Sequence, residues 1–134
     1  MRRKILVVDD EKFIAQTLCL ILDVHGYTAQ SAFSGIQAVA QAKEFFPDLL
    51  LSDVMMPGMN GFEAGALIKR HCPDCVLLFF SGRTDNPDFL PMSEVLKREG
   101  HSFQVLEKPL DPDLLLDRIK ELLGGDNGPL AALP

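Results

Sequence analysis

The sequence has no hydrophobic stretch long enough to cross a lipid bilayer. Its first apolar run begins at Lys4 and is broken at Asp9 and Asp10, whereas a spanning helix needs about 20 apolar residues. The same acids interrupt the apolar segment that a secretory signal peptide requires. We therefore expect a cytoplasmic protein without a membrane segment.

Positive charge is also scarce. The chain has 13 lysine and arginine residues against 19 aspartate and glutamate residues, which gives a net charge of -6. Proteins that bind nucleic acid directly usually present a surplus of cations. Direct nucleic-acid binding by this domain is therefore not expected.

Cysteine is too infrequent to build a disulfide framework. Only Cys19, Cys72 and Cys75 occur, and without a secretory segment we expect reduced thiols. Cys72 and Cys75 form a C-x-x-C pair between a helical segment and a strand, whereas thioredoxin-like pairs open a helix. Zinc would need two further ligands, of which His71 is the near candidate. We interpret the pair as spacer and core residues.

The length of 134 residues suits one domain with one core. We assign residues 1–123 to this domain. Residues 124–134 contain few large apolar side chains, and we expect them to be a flexible tail or the start of a linker.

Short apolar runs alternate with helical patterns along this domain. Strands are predicted at Lys4–Val8, Tyr27–Ala32, Leu49–Leu51, Cys75–Phe80 and Phe103–Leu106, and helices at 12–25, Gly35–Phe46, Phe62–Arg70, 92–99 and 112–123. Five such pairs predict a parallel sheet covered on both faces. The expected fold class is α/β, a flavodoxin-like (βα)5 doubly wound sheet with strand order 2-1-3-4-5.

Two features of the helices are specific enough to test. Ser34 and Asp111 are predicted to cap the second and the last helix. The inward stripe of the second helix is predicted to contain Ile36, Val39, Ala40 and the alkyl stem of Lys43.

Polar residues follow four of the predicted strands. Because the carboxyl ends of parallel strands meet at one sheet edge, they should lie close together. These residues are Asp9 and Asp10, Asp53, Ser81 and Lys108. Clustered carboxylates repel one another unless a cation lies among them, and Mg²⁺ prefers such oxygen ligands. The set predicts phosphoryl transfer to a carboxylate, in which positioning and charge neutralisation provide most of the catalysis.

Four motifs carry a family resemblance. They are VVDDE at 7–11, SDVMMPGMNGFE at 52–63, Ser-Gly at 81–82 and Lys-Pro at 108–109. Over about residues 3–123 the chain resembles the receiver domain of bacterial two-component response regulators. The resemblance implies that Asp53 accepts a phosphoryl group from the phosphohistidine of a sensor histidine kinase or a histidine phosphotransfer protein.

The resemblance also implies a Mg²⁺ site. Asp10 would bind the ion directly, and Asp9 would help to hold it, partly through water. Asp53 and the backbone carbonyl of Met55 would be further ligands.

The remaining implied roles concern the phosphoryl group itself. Ser81 would hydrogen-bond to it, with Gly82 leaving space beside that residue, and Lys108 would form an ion pair with it. The backbone N–H of Val54 is also predicted to bind it. The peptide bond before Pro109 is expected to be cis.

The chain departs from the family in the region used for output. Receivers usually carry Tyr or Phe three residues before the lysine, where this chain has Val105. Phe103 lies two residues earlier and is a candidate substitute, and both residues are candidates for the output face. The span from Ser81 to Lys108 is also longer than is typical. How the signal is passed on is therefore an open question.

A phosphatase and a flavin or nucleotide binder are the other functions that suit this fold class. A haloacid-dehalogenase-like phosphatase needs a second Asp two residues after the nucleophile, where Met55 stands, and a flavin or nucleotide binder needs a glycine-rich loop after the first strand. We expect no enzyme in the ordinary sense, because the protein would catalyse only its own phosphorylation and dephosphorylation. A stand-alone receiver that binds a downstream protein is expected, with a truncated larger regulator as the alternative; a homodimer on phosphorylation is left open.

Overall fold

The computed structural model describes residues 2–82 and 87–124, in which strands and helices alternate. The strands are β1 (Lys4–Val8), β2 (Thr28–Ala32), β3 (Leu49–Asp53), β4 (Val76–Ser81) and β5 (Gln104–Glu107). The helices are α1 (Lys12–Val24), α2 (Gly35–Phe45), α3 (Gly61–His71), α4 (Phe89–Arg98) and α5 (Pro112–Leu122). None of these helices combines the length and apolar content needed to cross a bilayer. The predicted tail, apart from Gly124, lies outside the described residues.

All strand pairs are parallel, in the order β2-β1-β3-β4-β5. This confirms the predicted fold class and strand order. Strand β3 lies in the middle, and all five of its residues are buried. Such two-sided burial explains why its sequence is a continuous apolar run rather than an alternating one.

The core has two parts, one on each face of the sheet. Helices α2, α3 and α4 pack on one face, around Leu6, Leu50 and Phe79. Helices α1 and α5 pack on the other, around Leu51 and Phe80. Adjacent residues of one strand therefore belong to different layers, as the period of two in a strand requires.

The predicted helix caps are present. The Ser34 hydroxyl accepts a hydrogen bond from the backbone N–H of Gln37 at 3.1 Å. The Asp111 carboxylate accepts one from the backbone N–H of Asp113 at 2.9 Å. A third cap, at Asn60, forms a capping box that starts α3.

The predicted inward stripe of α2 is wrong for all its members except Val39, which is partly buried against the core. Ile36 is 71% exposed, and Ala40 and Lys43 are exposed as well. The buried residues of this helix are Gly35, Ala38 and Ala42. The physical reason lies at Gly35, where an added Cβ would be 2.9 Å from the Met59 carbonyl oxygen. This close approach turns the small residues inward and Ile36 outward.

A similar close approach fixes the loop after β3. The backbone N–H of Gly61 donates to the carbonyl of Val54 at 2.9 Å. A Cβ on Gly61 would lie only 2.2 Å from the carbonyl oxygen of Asp53, a separation that no side chain tolerates. The start of α3 is therefore held directly against the end of the strand that carries Asp53.

We expect Gly61→Ala to lower the free energy of unfolding by about 1–3 kcal/mol, because the new methyl group must displace backbone rather than a side chain. Urea unfolding of the purified variant measures this. Gly82→Ala is the matched control, since its Cβ would meet only Cδ of Lys108, at 4.0 Å. Equal stability of the two variants would contradict the close approach.

Candidate functional site

The predicted site residues lie at one edge of the sheet. Asp9 directly follows β1, Asp53 and Ser81 are the last residues of β3 and β4, and Lys108 directly follows β5. Strand order places β1 and β3 side by side. The topology therefore brings together residues that are as much as 99 positions apart in the sequence.

The side chains meet as well as the strand ends. Carboxylate oxygens of Asp9, Asp10 and Asp53 lie within 4.8 Å of one another. The Lys108 ammonium lies 3.3 Å from Oδ2 of Asp53 and 4.0 Å from Oδ2 of Asp9. In the described part of the chain, three acids thus surround a pocket that one cation, Lys108, borders.

Asp9 is buried and incompletely paired. Its Oδ1 accepts a hydrogen bond from the backbone N–H of Glu11 at 2.9 Å, but its Oδ2 has no hydrogen-bond partner. Burial, opposed by the Glu11 hydrogen bond and reinforced by repulsion from Asp53, raises the pKa of Asp9 to about 6. An ionised carboxylate here is therefore costly unless another positive charge is supplied.

Asp53 is 6% exposed, and it lies at the centre of the site. Burial raises the pKa of Asp53, while the charge of Lys108, its hydrogen bond and a hydrogen bond from the backbone N–H of Met55 lower it. The small exposed fraction still leaves a path for a reagent from the open edge. Asp53 is the group in the site that combines this access with a direct contact to Lys108.

The predicted role of the Val54 backbone N–H is wrong in this structure. That N–H donates to the carbonyl of Phe80 at 3.0 Å, as the continuation of the β3–β4 ladder requires. The amide that does face the Asp53 carboxylate is the next one, of Met55. The role of the Met55 carbonyl as a metal ligand stays a prediction.

Ser81 ends β4 at the same sheet edge, and Gly82 follows it beside the Lys108 side chain. Ser81 is fully buried, and its carbonyl accepts a hydrogen bond from the backbone N–H of Lys108 at 2.9 Å. This bond fixes the start of the Lys108 side chain beside β4. The peptide bond between Lys108 and Pro109 is cis, as predicted.

One contact of the lysine was not predicted from the sequence. The Lys108 ammonium lies 5.2 Å from the centroid of the Phe80 ring, within the range of a cation–π interaction. Phe80 precedes Ser81 in an apolar run that is typical of a buried strand. An aromatic residue at the penultimate position of a strand beside the lysine-bearing strand is the signal that indicates such a contact.

The donor set fits a hard divalent cation such as Mg²⁺. Asp9, Asp10 and Asp53 offer oxygen ligands, which this ion prefers. The buried Oδ2 of Asp9 has no hydrogen-bond partner and only a long contact with Lys108, which is a structural reason to expect a further positive charge. Among the described residues, no other group of three or more acidic, histidine or cysteine side chains is close enough to hold a metal.

The C-x-x-C pair is not part of any such group. Cys72 and Cys75 are buried, and burial raises the pKa of Cys75 to about 12. Thiols held in their neutral form are poor nucleophiles and poor metal ligands. The interpretation of these residues as core is consistent with that environment.

The two residues proposed for the output face are Phe103, directly before β5, and Val105, within it. Phe103 and Val105 are partly buried against the same core cluster. The Phe103 ring lies 5.4 Å from that of Phe62 and 5.9 Å from that of Phe79. Ser81 pairs with Glu107, four residues further along. Phe103 is therefore not adjacent to Ser81, and this position does not support its use as a substitute aromatic switch.

Comparison with known proteins matches this geometry to a family. The chain belongs to the response regulator receiver domain family, which it matches over residues 5–120. It is 32% identical over 123 residues to the DNA-binding response regulator MtrA of Mycobacterium tuberculosis, covering 92% of this chain and 51% of MtrA. It is 34% identical over 127 residues to the response regulator PleD of Caulobacter vibrioides, covering 91% of this chain and 26% of PleD. The chain thus spans about half the length of MtrA and about a quarter of PleD.

A solved structure agrees with the fold. A CheY-like receiver domain protein from Methanospirillum hungatei is 27% identical and superposes with a TM-score of 0.80. The match covers 92% of this chain and 95% of that one. The five-stranded fold described above is therefore that of CheY-like receivers.

The raised pKa of Asp9 predicts a pH-dependent stability in metal-free protein. Because the folded state holds this proton more tightly than the unfolded state, the contribution of Asp9 to stability is fully present below the unfolded pKa of 3.8 and is lost as the pH rises through about 6. We expect Asp9→Asn to raise the free energy of unfolding by about 1–3 kcal/mol at pH 7.5 and to change it little at pH 4.

Urea unfolding with a chelator present, at both pH values, measures the effect. Asparagine keeps an oxygen for the Glu11 N–H, so the variant removes the charge without removing that hydrogen bond. A variant less stable than the wild type at pH 7.5 would show that the Asp9 carboxylate is not under electrostatic strain.

Proposed function

We propose that this protein is a phosphoryl-accepting receiver in which Asp53 takes a phosphoryl group from the phosphohistidine of a sensor histidine kinase or a histidine phosphotransfer protein. The observation that carries the proposal is the contact of 3.3 Å between the Lys108 ammonium and the Asp53 carboxylate, within a cluster of three acids. Membership of the receiver family supports it.

The transfer needs only positioning and charge neutralisation from the protein. An Asp53 carboxylate oxygen attacks phosphorus, a P–O bond forms, and the P–N bond breaks with its electron pair returning to the imidazole. Lys108 would hold a positive charge where the oxygens of the phosphoryl group arrive, and the Met55 backbone N–H, which faces the Asp53 carboxylate, would donate to them. Such preorganised charges and donors stabilise the transition state.

Asp9 and Asp10 would hold Mg²⁺ together with Asp53. The ion, when bound, would neutralise part of the charge on the carboxylates and on the phosphoryl oxygens. The setting of this acid cluster supports that assignment, because two carboxylates lie beside the acceptor and, within residues 2–82 and 87–124, Lys108 is the one cation in contact with them.

The reaction is limited to the protein's own aspartate. We propose that it catalyses its own phosphorylation and dephosphorylation and acts on no separate substrate. A phosphatase of the haloacid-dehalogenase type would need a carboxylate at Met55, whose side chain is 45% exposed. Methionine has no acidic group, so this position cannot protonate a leaving group.

The phosphorylated form would act by changing its binding to a downstream protein. Phosphorylation adds roughly -1.5 to -2 charge at Asp53, and this charge draws the ammonium of Lys108 and the residue Ser81 toward the new oxygens. A pre-existing equilibrium of the adjoining loops would shift as a result. MtrA is described as a DNA-binding regulator; for this chain, a protein partner is the proposal.

Incubation with a small acyl phosphate and Mg²⁺ should label the wild-type protein with an acid-stable, base-labile phosphoryl group, and Asp53→Asn should abolish the label. The reason is that the amide of asparagine cannot act as the nucleophile. Phosphate-affinity electrophoresis measures the labelled fraction.

Asp117→Asn is the matched control, since Asp117 is an exposed acid on α5 outside the acid cluster. It should be labelled like the wild type. Label that persists on Asp53→Asn would remove the central assignment.

Mg²⁺ should stabilise the wild type by about 1.4 kcal/mol at a free concentration ten times the dissociation constant. Asp10→Asn should lose this stabilisation, because Asp10 is the exposed member of the acid cluster and the loss of its charge weakens the ligand set. Thermal unfolding followed by circular dichroism, with and without the ion, measures the difference. An undiminished Mg²⁺ effect in Asp10→Asn would place the ion elsewhere.

A further inference from the structure

Helix α1 is apolar on nearly all sides. Its 13 residues include only two charged ones, Lys12 and Asp23. Its core face buries Ala15, Leu18 and Leu22, as expected for a helix packed on a sheet. A helix that is also apolar on its outer face indicates a further packing partner.

The outer face carries three large apolar side chains. Phe13 is 81% exposed, Leu20 is 68% exposed and Val24 is 82% exposed. Separations of seven and four residues place them on one side of a helix with 3.6 residues per turn, over a length of about 16 Å. We call these three residues the α1 stripe. In the described part of the chain, no other helix exposes more than one large apolar side chain.

We propose that the α1 stripe is an interface between two copies of this chain, packed with their α1 helices antiparallel about a twofold axis. In this arrangement Phe13 lies against the partner's Val24, and Thr17 lies against the partner's Leu20. Each copy thus presents the same self-complementary surface, as a twofold interface requires. The proposal does not depend on phosphorylation or on the proposed function.

The two charges of the helix favour this orientation. Lys12 and Asp23 are both exposed and stand at opposite ends of α1. Eleven residues are close to three full turns, so the two lie on the same flank of the stripe, about 20° apart around the helix. In an antiparallel twofold pair, the charged flanks of the two helices lie on the same side of the interface, and the start of one helix lies beside the end of the other. Lys12 therefore lies near the partner's Asp23. A parallel pairing would put the two sets of charges on opposite flanks.

The stripe also borders the candidate site. Phe13 lines an apolar groove of about 560 Å³ that Lys108, Pro109 and Leu110 line from the other side. A helix of the phosphohistidine donor is therefore the alternative occupant. The observations favour a second copy, because Lys12 and Asp23 flank the stripe and each would pair with the opposite charge of a second copy.

Sedimentation equilibrium of unphosphorylated protein, from about 10 μM to about 1 mM, tests the interface, since contacts of this limited size are weak. We expect a concentration-dependent dimer in the wild type and a dissociation constant raised roughly tenfold or more in Leu20→Glu. Ile36→Glu is the matched control, because Ile36 is 71% exposed on α2, and it should dimerise like the wild type. Circular dichroism checks that each variant is folded.

Charge reversal tests the antiparallel orientation. Lys12→Asp and Asp23→Lys should each weaken the dimer, because each places like charges opposite one another. An equimolar mixture of these two variants should restore association, since both cross-pairs then have opposite charges.

Three results would overturn the proposal: a wild type that stays monomeric throughout the range, equal effects of Leu20→Glu and Ile36→Glu, or a mixture that associates no better than its components. A monomeric wild type combined with slower phosphotransfer from a histidine kinase to Leu20→Glu would assign the stripe to the donor instead.

Discussion

Electrostatic repulsion among three carboxylates, two of them buried and one exposed, is the constraint on which the site depends. Asp9, Asp10 and Asp53 converge within 4.8 Å, and Lys108 is the cation that the protein itself places in contact with two of them. Burial raises the pKa of Asp9 and of Asp53, so the pocket favours the arrival of positive charge. In the proposed function, the metal ion and Lys108 would together provide the positive charge that a phosphoryl group on Asp53 needs.

The fold meets this demand through backbone contacts. Strand order places β1 beside β3, the ladder bond from Lys108 to Ser81 fixes the lysine, and the close approach of Gly61 to Asp53 holds the following helix in place. Below the site, Phe62 contacts the rings of Phe79, Phe89 and Phe103. This cluster joins α3, α4 and the strand that ends at Ser81. These ring contacts connect β4 with α4 on the side of the sheet where Val105 stands in place of the usual aromatic residue.

Much of this arrangement could be predicted from the sequence, because it follows from local rules. The apolar run that ends at Asp53 identified a central strand, and capping chemistry located Ser34 and Asp111. The four motifs in order were enough to specify the family. The errors have a different origin. Ile36 faces outward because Gly35 approaches Met59, and the Val54 backbone N–H donates a hydrogen bond to the carbonyl of Phe80. Both facts depend on distances between backbone segments that are far apart in the sequence. The α1 stripe was likewise not evident, since exposed and buried leucines look alike in a sequence.

The most direct test of the account is a crystal structure of the protein with Mg²⁺ and a beryllium fluoride complex, which mimics a phosphoryl group on a carboxylate. We predict beryllium bound to an Asp53 oxygen, the ion held between Asp9, Asp10 and Asp53, and the Lys108 ammonium in contact with a fluorine atom. A beryllium fluoride group bound to another acid, or an Asp53 adduct from which Lys108 points away, would contradict it.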